Sequence, residues 1–267
     1  MFVQCFKLAT RKTKNDGAMT VLTQLTAGIS ILLLVPFFQW SFPTDWKVWL
    51  FLGLAIIFYT INDRLNTTTR KNLDISTENT LRQLSNVFII IIGIIFFKED
   101  IILMKLLGGL IIIGSNILLV MEKGKFVFNK YIIFQLISVL SFSIAISLDI
   151  EINEQFNLPI YIGMTLIIPA ILIILFERLS FNKIVNEYKE GNKTAIIITG
   201  ITWGIAILFN LRAYVFGNVT TVAPISSLNV LINVIVAYLF LKEKDNLFRK
   251  IIAAIGIILG ILLITFA

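Results

Sequence analysis

Apolar residues in this chain fall in long continuous blocks, not at amphipathic or alternating spacing. The blocks lie at about 19–38, 46–62, 80–97, 101–121, 131–149, 158–176, 195–216, 220–241 and 251–267. Each reaches the length, about 17 residues or more, at which an apolar α-helix crosses the hydrocarbon of a bilayer. A helix that is apolar all round has no face for water, so the pattern predicts nine complete membrane crossings. Ahead of them, the first ten residues, MFVQCFKLAT, are apolar but too short to span. They lack the charged-then-apolar order and small-residue cleavage site of a signal peptide. A basic loop from Arg11 to Gly17 follows. Pro36, Pro159, Pro169 and Pro224 sit at block ends or invite kinks, which membrane bundles tolerate.

The polar punctuation repeats. Phe97-Lys98-Glu99-Asp100, followed by Gly108 and Gly114, mirrors Leu241-Lys242-Glu243-Lys244, followed by Ala254 and Gly260, at an offset of about 144–146. Residues 75–83 lie over 219–227 at the same offset. Each repeat then holds five helices, and an odd number forces the two halves into opposite orientations. The expected fold is an all-α integral membrane protein, a bundle of nine to ten transmembrane helices. Residues 1–121 form the first five-helix repeat and 122–267 the second, inverted one. Sliding the second half back puts Met1 over about Phe142, so the first helix is expected to be truncated, without a counterpart of about 131–141. The hairpin 80–121 is expected to superpose on 224–265 after rotation about an axis in the membrane plane.

The last fifty residues carry the most specific pattern. Two apolar helices flank the turn Lys242-Glu243-Lys244-Asp245. The first opens with Ala223-Pro224 and carries Ser226, Asn229 and Asn233 on one face. The second contains Gly256-Ile-Ile-Leu-Gly260, a spacing of small residues that lets another helix approach closely in lipid. This stretch resembles the closing hairpin of the drug/metabolite transporter superfamily, in its ten-helix EamA-like branch; the family's usual Leu-Gly-Glu turn reads Leu241-Lys242-Glu243 here. The resemblance implies two inverted five-helix halves around a central cavity. It also implies that segments 46–64, 79–97, 131–149, 195–216 and 220–241 line that cavity.

Composition sharpens the class. A mean hydropathy of +0.90 and 57% hydrophobic residues exclude an ordinary soluble domain. The net charge of +7 does not point to nucleic acid. By count, the loops at 10–18, 63–79, 122–130, 177–194 and 242–250 carry 17 of the 23 Lys and Arg, and the intervening loops carry three. This positive-inside bias places the first set in the cytoplasm and Ala267 outside. His is absent and Cys5 is the lone cysteine, which excludes imidazole metal sites, internal disulfides and cysteine clusters. No cofactor and no metal are expected. An Ile-, Asn- and Lys-rich usage suggests a bacterial source, and hence the cell (inner) membrane. The expected partners are the bilayer, a small-molecule substrate and, as a candidate, a second copy of the chain.

Polar residues at membrane depth need a reason, because each ionisable group there costs about 2.5–3.5 kcal/mol on insertion scales. Arg82 lies on a stripe with Asn79, Gln83 and Asn86. Arg212 lies beside Asn210 and Tyr214, with Thr199, Trp203 and Ala206 on the face of Asn210. Asn62-Asp63-Arg64 in the first half answers Asn210-Leu211-Arg212 in the second. Substrate binding is therefore sought at Arg82, Arg212, Asn62, Asn210, Gln83, Asn86, Trp203, Tyr214, Ser226 and Asn229. Each has a structural alternative. Arg82 has Glu78 four residues before it; Arg64 reads as an edge charge paired with Asp63; Arg212 can snorkel outward or pair with Asp149 or Glu151, whose loop falls on the same side. The Ser and Asn stripe at 226, 229 and 233 suits interhelical hydrogen bonding, and the two small-xxx-small segments, 200–204 and 256–260, suit packing. Trp40, Trp46 and Trp49 read as interfacial anchors.

The arginine fork matches a carboxylate or phosphate. The sequence is therefore read as a secondary transporter of a small polar metabolite, anionic or zwitterionic like an amino acid, working by alternating access. The alternative is a membrane enzyme or lipid-carrier protein acting on a lipid-linked headgroup. Against it stand the scattered carboxylates and the absence of a nucleophile–base pair. A non-transporting scaffold is the third option.

Overall fold

A computed structural model describes residues 2–10, 13–96, 103–122, 125–126, 129–216 and 247–266. Where they are described, the predicted blocks are helices. In order they are α1 (Phe2–Thr10), α2 (Asp16–Leu32), α3 (Trp46–Asn72), α4 (Ile75–Arg82), α5 (Leu84–Phe96), α6 (Leu103–Val120), α7 (Lys130–Ile152), α8 (Leu158–Phe176), α9 (Phe181–Glu190), α10 (Lys193–Phe216) and α11 (Leu247–Thr265). Short 3-10 turns follow α2 at Val35–Phe37 and α7 at Asn153–Gln155. One antiparallel ladder of two residues a side joins Met121–Glu122 to Lys125–Phe126. Among the described residues, six helical segments are long and apolar enough to cross a membrane: 16–37, 46–72, 130–149, 158–176, 193–213 and 248–265. The predicted helix at 220–241 lies outside the described residues.

Four local readings change. The first ten residues are helical, as α1. α3 runs ten residues past its predicted end at 62, because its polar tail has partners. Asn62, Asp63, Asn66, Thr67 and Arg70 are buried along one stripe, and α2 supplies Gln24, Thr20 and Asp16 to that tail. The predicted span 80–97 is two helices parted at Gln83, a polar α4 and an apolar α5. The loop 177–194 holds the amphipathic helix α9, whose Ile184 and Tyr188 pack onto two clusters of buried residues.

α9 is pinned by a buried acid. Glu187 accepts from the backbone N–H groups of Lys14 (3.2 Å) and Asn15 (2.9 Å), just before the start of α2. Lys14 also pairs with Glu190 at 2.6 Å, but both side chains are solvated and such pairs contribute little. Removing Glu187 would leave the two donors without their charged acceptor. Glu187→Ala is thus expected to cost about 2–3 kcal/mol. Glu187→Gln, which keeps an acceptor, is expected to lose less, and Glu190→Gln least. Unfolding by denaturing detergent reads the order; equal losses at 187 and 190 would mean that the buried contacts carry no special weight.

The helices sort into two compact units, Met1–Lys71 with Ile144–Val215, and Asn72–Ser143 with Phe216–Ala267. Each unit draws on both halves of the sequence. The core of the first gathers Ile31, Leu52, Ile56, Tyr161, Ile162, Leu166 and Leu211. Within it, α2 and α8 pack through reciprocal glycines. A Cβ on Gly28 would meet Ile167 at 2.6 Å, and one on Gly163 would meet Leu32 at 2.6 Å. Rising numbers on one helix meet falling numbers on the other, so the pair is antiparallel. A shift of 135 residues exchanges the two contacts.

The second unit repeats the device. A Cβ on Gly260 would stand 2.6 Å from the Gly108 carbonyl oxygen and 2.7 Å from Ile112, and one on Gly108 would meet Ile264 at 2.7 Å. Gly256 faces Ser115. α6 and α11 are therefore antiparallel too, around the fully buried Ile112 and Ile257, which stand at the predicted repeat offset. Corresponding helices cross in opposite senses, which is the inversion the odd helix count demands. The spacing is not uniform, however. The second repeat is longer by about ten residues between these helices, the stretch that includes α9. Gly200 and Gly204 likewise abut Thr26, Ala27 and Ile31, so both small-xxx-small segments serve packing.

Candidate functional site

A cleft of about 250 Å³ opens in the first unit, lined by Phe38, Gln39, Ser41, Asn153, Glu154, Phe156, Leu158 and Arg212. It lies where the loops 38–45 and 153–157 meet, the side that the charge bias places outside. Asn157 builds it. The Asn157 Oδ1 accepts from Ile160 N–H and caps α8, while its Nδ2 donates to the carbonyls of Phe38 (3.3 Å) and Gln39 (2.9 Å). Its backbone N–H donates to Ser41 O at 2.8 Å. Three hydrogen bonds thus fix the loop against the helix end. The Arg212 guanidinium lies over the Phe38 ring, 5.1 Å from its centroid. Asn153 donates through Nδ2 to the Asp149 backbone carbonyl at 2.6 Å. Its buried Oδ1 has no hydrogen-bond partner among the described residues.

Behind the cleft lies a buried acid. Asp149, at the end of the α7 span, is 2% exposed, and its carboxylate accepts from the hydroxyls of both Tyr59 and Tyr161. Deeper along α3, Asp63 accepts from Gln24 Nε2 (2.8 Å) and Asn62 Nδ2 (2.7 Å). Thr20 and Thr67 join across α2 and α3 by a hydroxyl bond of 2.7 Å. Tyr59 and Asp63 stand four residues apart on one helix face.

The sequence candidates divide accordingly. Arg212 lines the cleft; Trp203, on the same helix, packs against the core of the first unit, and Asn210 is exposed. The stripe through Thr199, Trp203, Ala206 and Asn210 runs from fully buried to exposed, so it does not form one surface. Asn62 is buried against Asp63. Arg64 pairs with Glu177 and Thr68, not with Asp63, because Asp63 turns inward to the amides. The two Asn-x-Arg segments therefore have unlike surroundings. In the second unit Arg82 takes the ion pair with Glu78 at 3.4 Å and lies over the Phe142 ring at 5.5 Å. Gln135 Nε2 also donates to Glu78, at 3.5 Å. Gln83 is half-buried at the break between α4 and α5. Asn86 and Tyr214 sit on helices, but their side chains, like Ser226 and Asn229, lie outside the described residues.

The sequence profile of the EamA-like transporter family matches this chain twice, over residues 5–121 and again over 129–266. The chain belongs to the EamA-like transporter family. No curated protein matches it. As an EamA-like protein it is a multi-pass membrane protein built of two repeats, and the antiparallel pairs α2–α8 and α6–α11 show those repeats inverted. The groups that sequence reasoning passed over are Tyr59, Tyr161 and Gln24; Asp149 enters the sequence reading only as a pair for Arg212, and its carboxylate instead accepts from the two tyrosines. The available signal was an acid closing an apolar block, at Asp149, and a glutamine within one, at Gln24.

Proposed function

We propose that this EamA-like protein is a secondary transporter of a small zwitterionic or anionic metabolite of the amino-acid kind. The observation that carries the reading is the composition of the cleft. It offers a guanidinium, Arg212, to a carboxylate, and the Glu154 carboxylate to an ammonium. The volume, about 250 Å³, falls below the usual range for drug-sized ligands and suits a small metabolite. Among the described residues, the clustered acids, nucleophile or metal ligands that would favour a membrane enzyme do not gather at this cleft.

The inversion supports an alternating-access cycle. Two repeats of opposite orientation can exchange conformations, and that exchange turns an outward-open state into an inward-open one. On the positive-inside reading, the cleft belongs to the outward side of that cycle. The bacterial inner membrane is the setting in which such a chain is expected to work.

A thermal-shift screen of metabolites on the purified protein tests the substrate class. Amino-acid-like zwitterions or small carboxylates are expected to stabilise it. Stabilisation by organic cations alone would overturn the substrate reading.

A further inference from the structure

From Asp149 and its two tyrosines we infer a second binding site in the first unit, one whose ligand is a proton. The inference stands beside the proposed transport reading and rests on it only for the direction of coupling. Asp149 is almost wholly buried at the end of an apolar span. Among the described residues it has no ion-pair partner; its carboxylate is held by two neutral hydroxyls, Tyr59 on α3 and Tyr161 on α8. Burial disfavours a charge in such a place, while the two hydroxyl donors favour it.

Protonation changes the hydrogen-bond arithmetic. The carboxylate accepts from both tyrosines; once a proton from water binds one oxygen, that oxygen becomes a donor. The tyrosine facing it must then turn its hydroxyl to accept, and send its own hydrogen elsewhere. One turn further along α3 from Tyr59 stands Asp63. Asp63 is itself beside Gln24, whose fully buried Oε1 has no partner among the described residues. On the other side, Asn153 ties the last turn of α7 to the cleft that contains Arg212 and Glu154. Loading a proton at Asp149 thus reorders groups on α3, α7 and α8 together. In the transport cycle it couples proton movement to the occupancy of the cleft.

Infrared difference spectroscopy of the full-length protein in proteoliposomes, stepped from neutral to acidic buffer without any substrate, reads the proton directly. The wild type is expected to gain a carboxylic C=O band on acidification. Asp149→Asn is expected to lack it, and Tyr161→Phe to show it at a higher frequency, since the group has lost a hydrogen-bond donor. A wild-type spectrum without the band, or a band that survives Asp149→Asn, overturns the inference. Should Asp149→Asn fail to fold, an unmoved band in Tyr161→Phe overturns it. Arg212→Gln separates the two readings. Loss of metabolite stabilisation with the band intact leaves the proton site standing, and loss of the band in Asp149→Asn with metabolite binding intact confirms that they are distinct.

Discussion

Arg212→Gln is expected to weaken binding of an amino-acid-like ligand by about tenfold or more. A hydrogen bond to a charged group contributes about 1.5–3 kcal/mol, and each 1.4 kcal/mol is about a factor of ten in affinity. Folding should be near normal, because the guanidinium rests over Phe38 at the cleft while the neighbouring Leu211 holds the core. Lysine should restore binding only in part, since a point charge replaces a planar fork. Arg64→Gln is the control. Its side chain answers Glu177 and Thr68, away from the cleft, so affinity should not change. Calorimetric titration of the ligand found by the metabolite screen measures all three. Unchanged affinity in Arg212→Gln would make Arg212 an edge residue and remove the main support for an anionic or zwitterionic substrate.

Gly108→Leu should be the most damaging single change in the second unit. At this contact the obstacle is largely backbone, the Gly260 carbonyl and the chain at Ile264, which no rotamer change can move aside. The helices must separate and lose the fit around Ile112, Ile257 and Ile261. Overpacking of a well-filled contact costs about 1–3 kcal/mol, and more where backbone is displaced; in lipid, close packing is itself what holds helices together. We therefore expect a loss of about 3 kcal/mol or more, seen as an early transition in detergent denaturation. Gly114→Ala, on the same helix, meets nothing within 4 Å. It should be neutral or slightly stabilising, by up to about 1 kcal/mol from helix propensity. Equal effects at the two positions would deny the seam its role.

The helical class, the two repeats and their inversion are legible in the sequence because hydrophobic blocks, loop charge and helix parity are properties of local composition and counting. The close approach at Gly256 and Gly260 was legible for the same reason, since spacing within one helix marks it. Failures came where a distant partner decides the outcome. The tail of α3 looks like a loop until Gln24 and Asp16 are brought to it, and α9 until Glu187 meets the start of α2. The Asp149 cluster joins residues 90 and 12 positions apart in the chain, and no local pattern announces it. Arg82 and Arg212 look alike in sequence, yet one faces Glu78 and the other a cleft. A charge in an apolar block signals that a partner exists without saying which.

The interleaving of the units bears on biogenesis. α2 leaves the ribosome roughly 140 residues ahead of α8, and α6 the same distance ahead of α11. At about 5–20 residues per second, each waits on the order of ten seconds for its partner. During that interval the polar stripe of α3 has α2 and Phe6 of α1 beside it, and the glycine face of α6 stands open to lipid or to the insertion machinery. Neither unit can close until the second repeat has been threaded in the opposite sense. Orientation errors in the second half would therefore strand the first half as well, and quality control would meet a chain with two incomplete bodies.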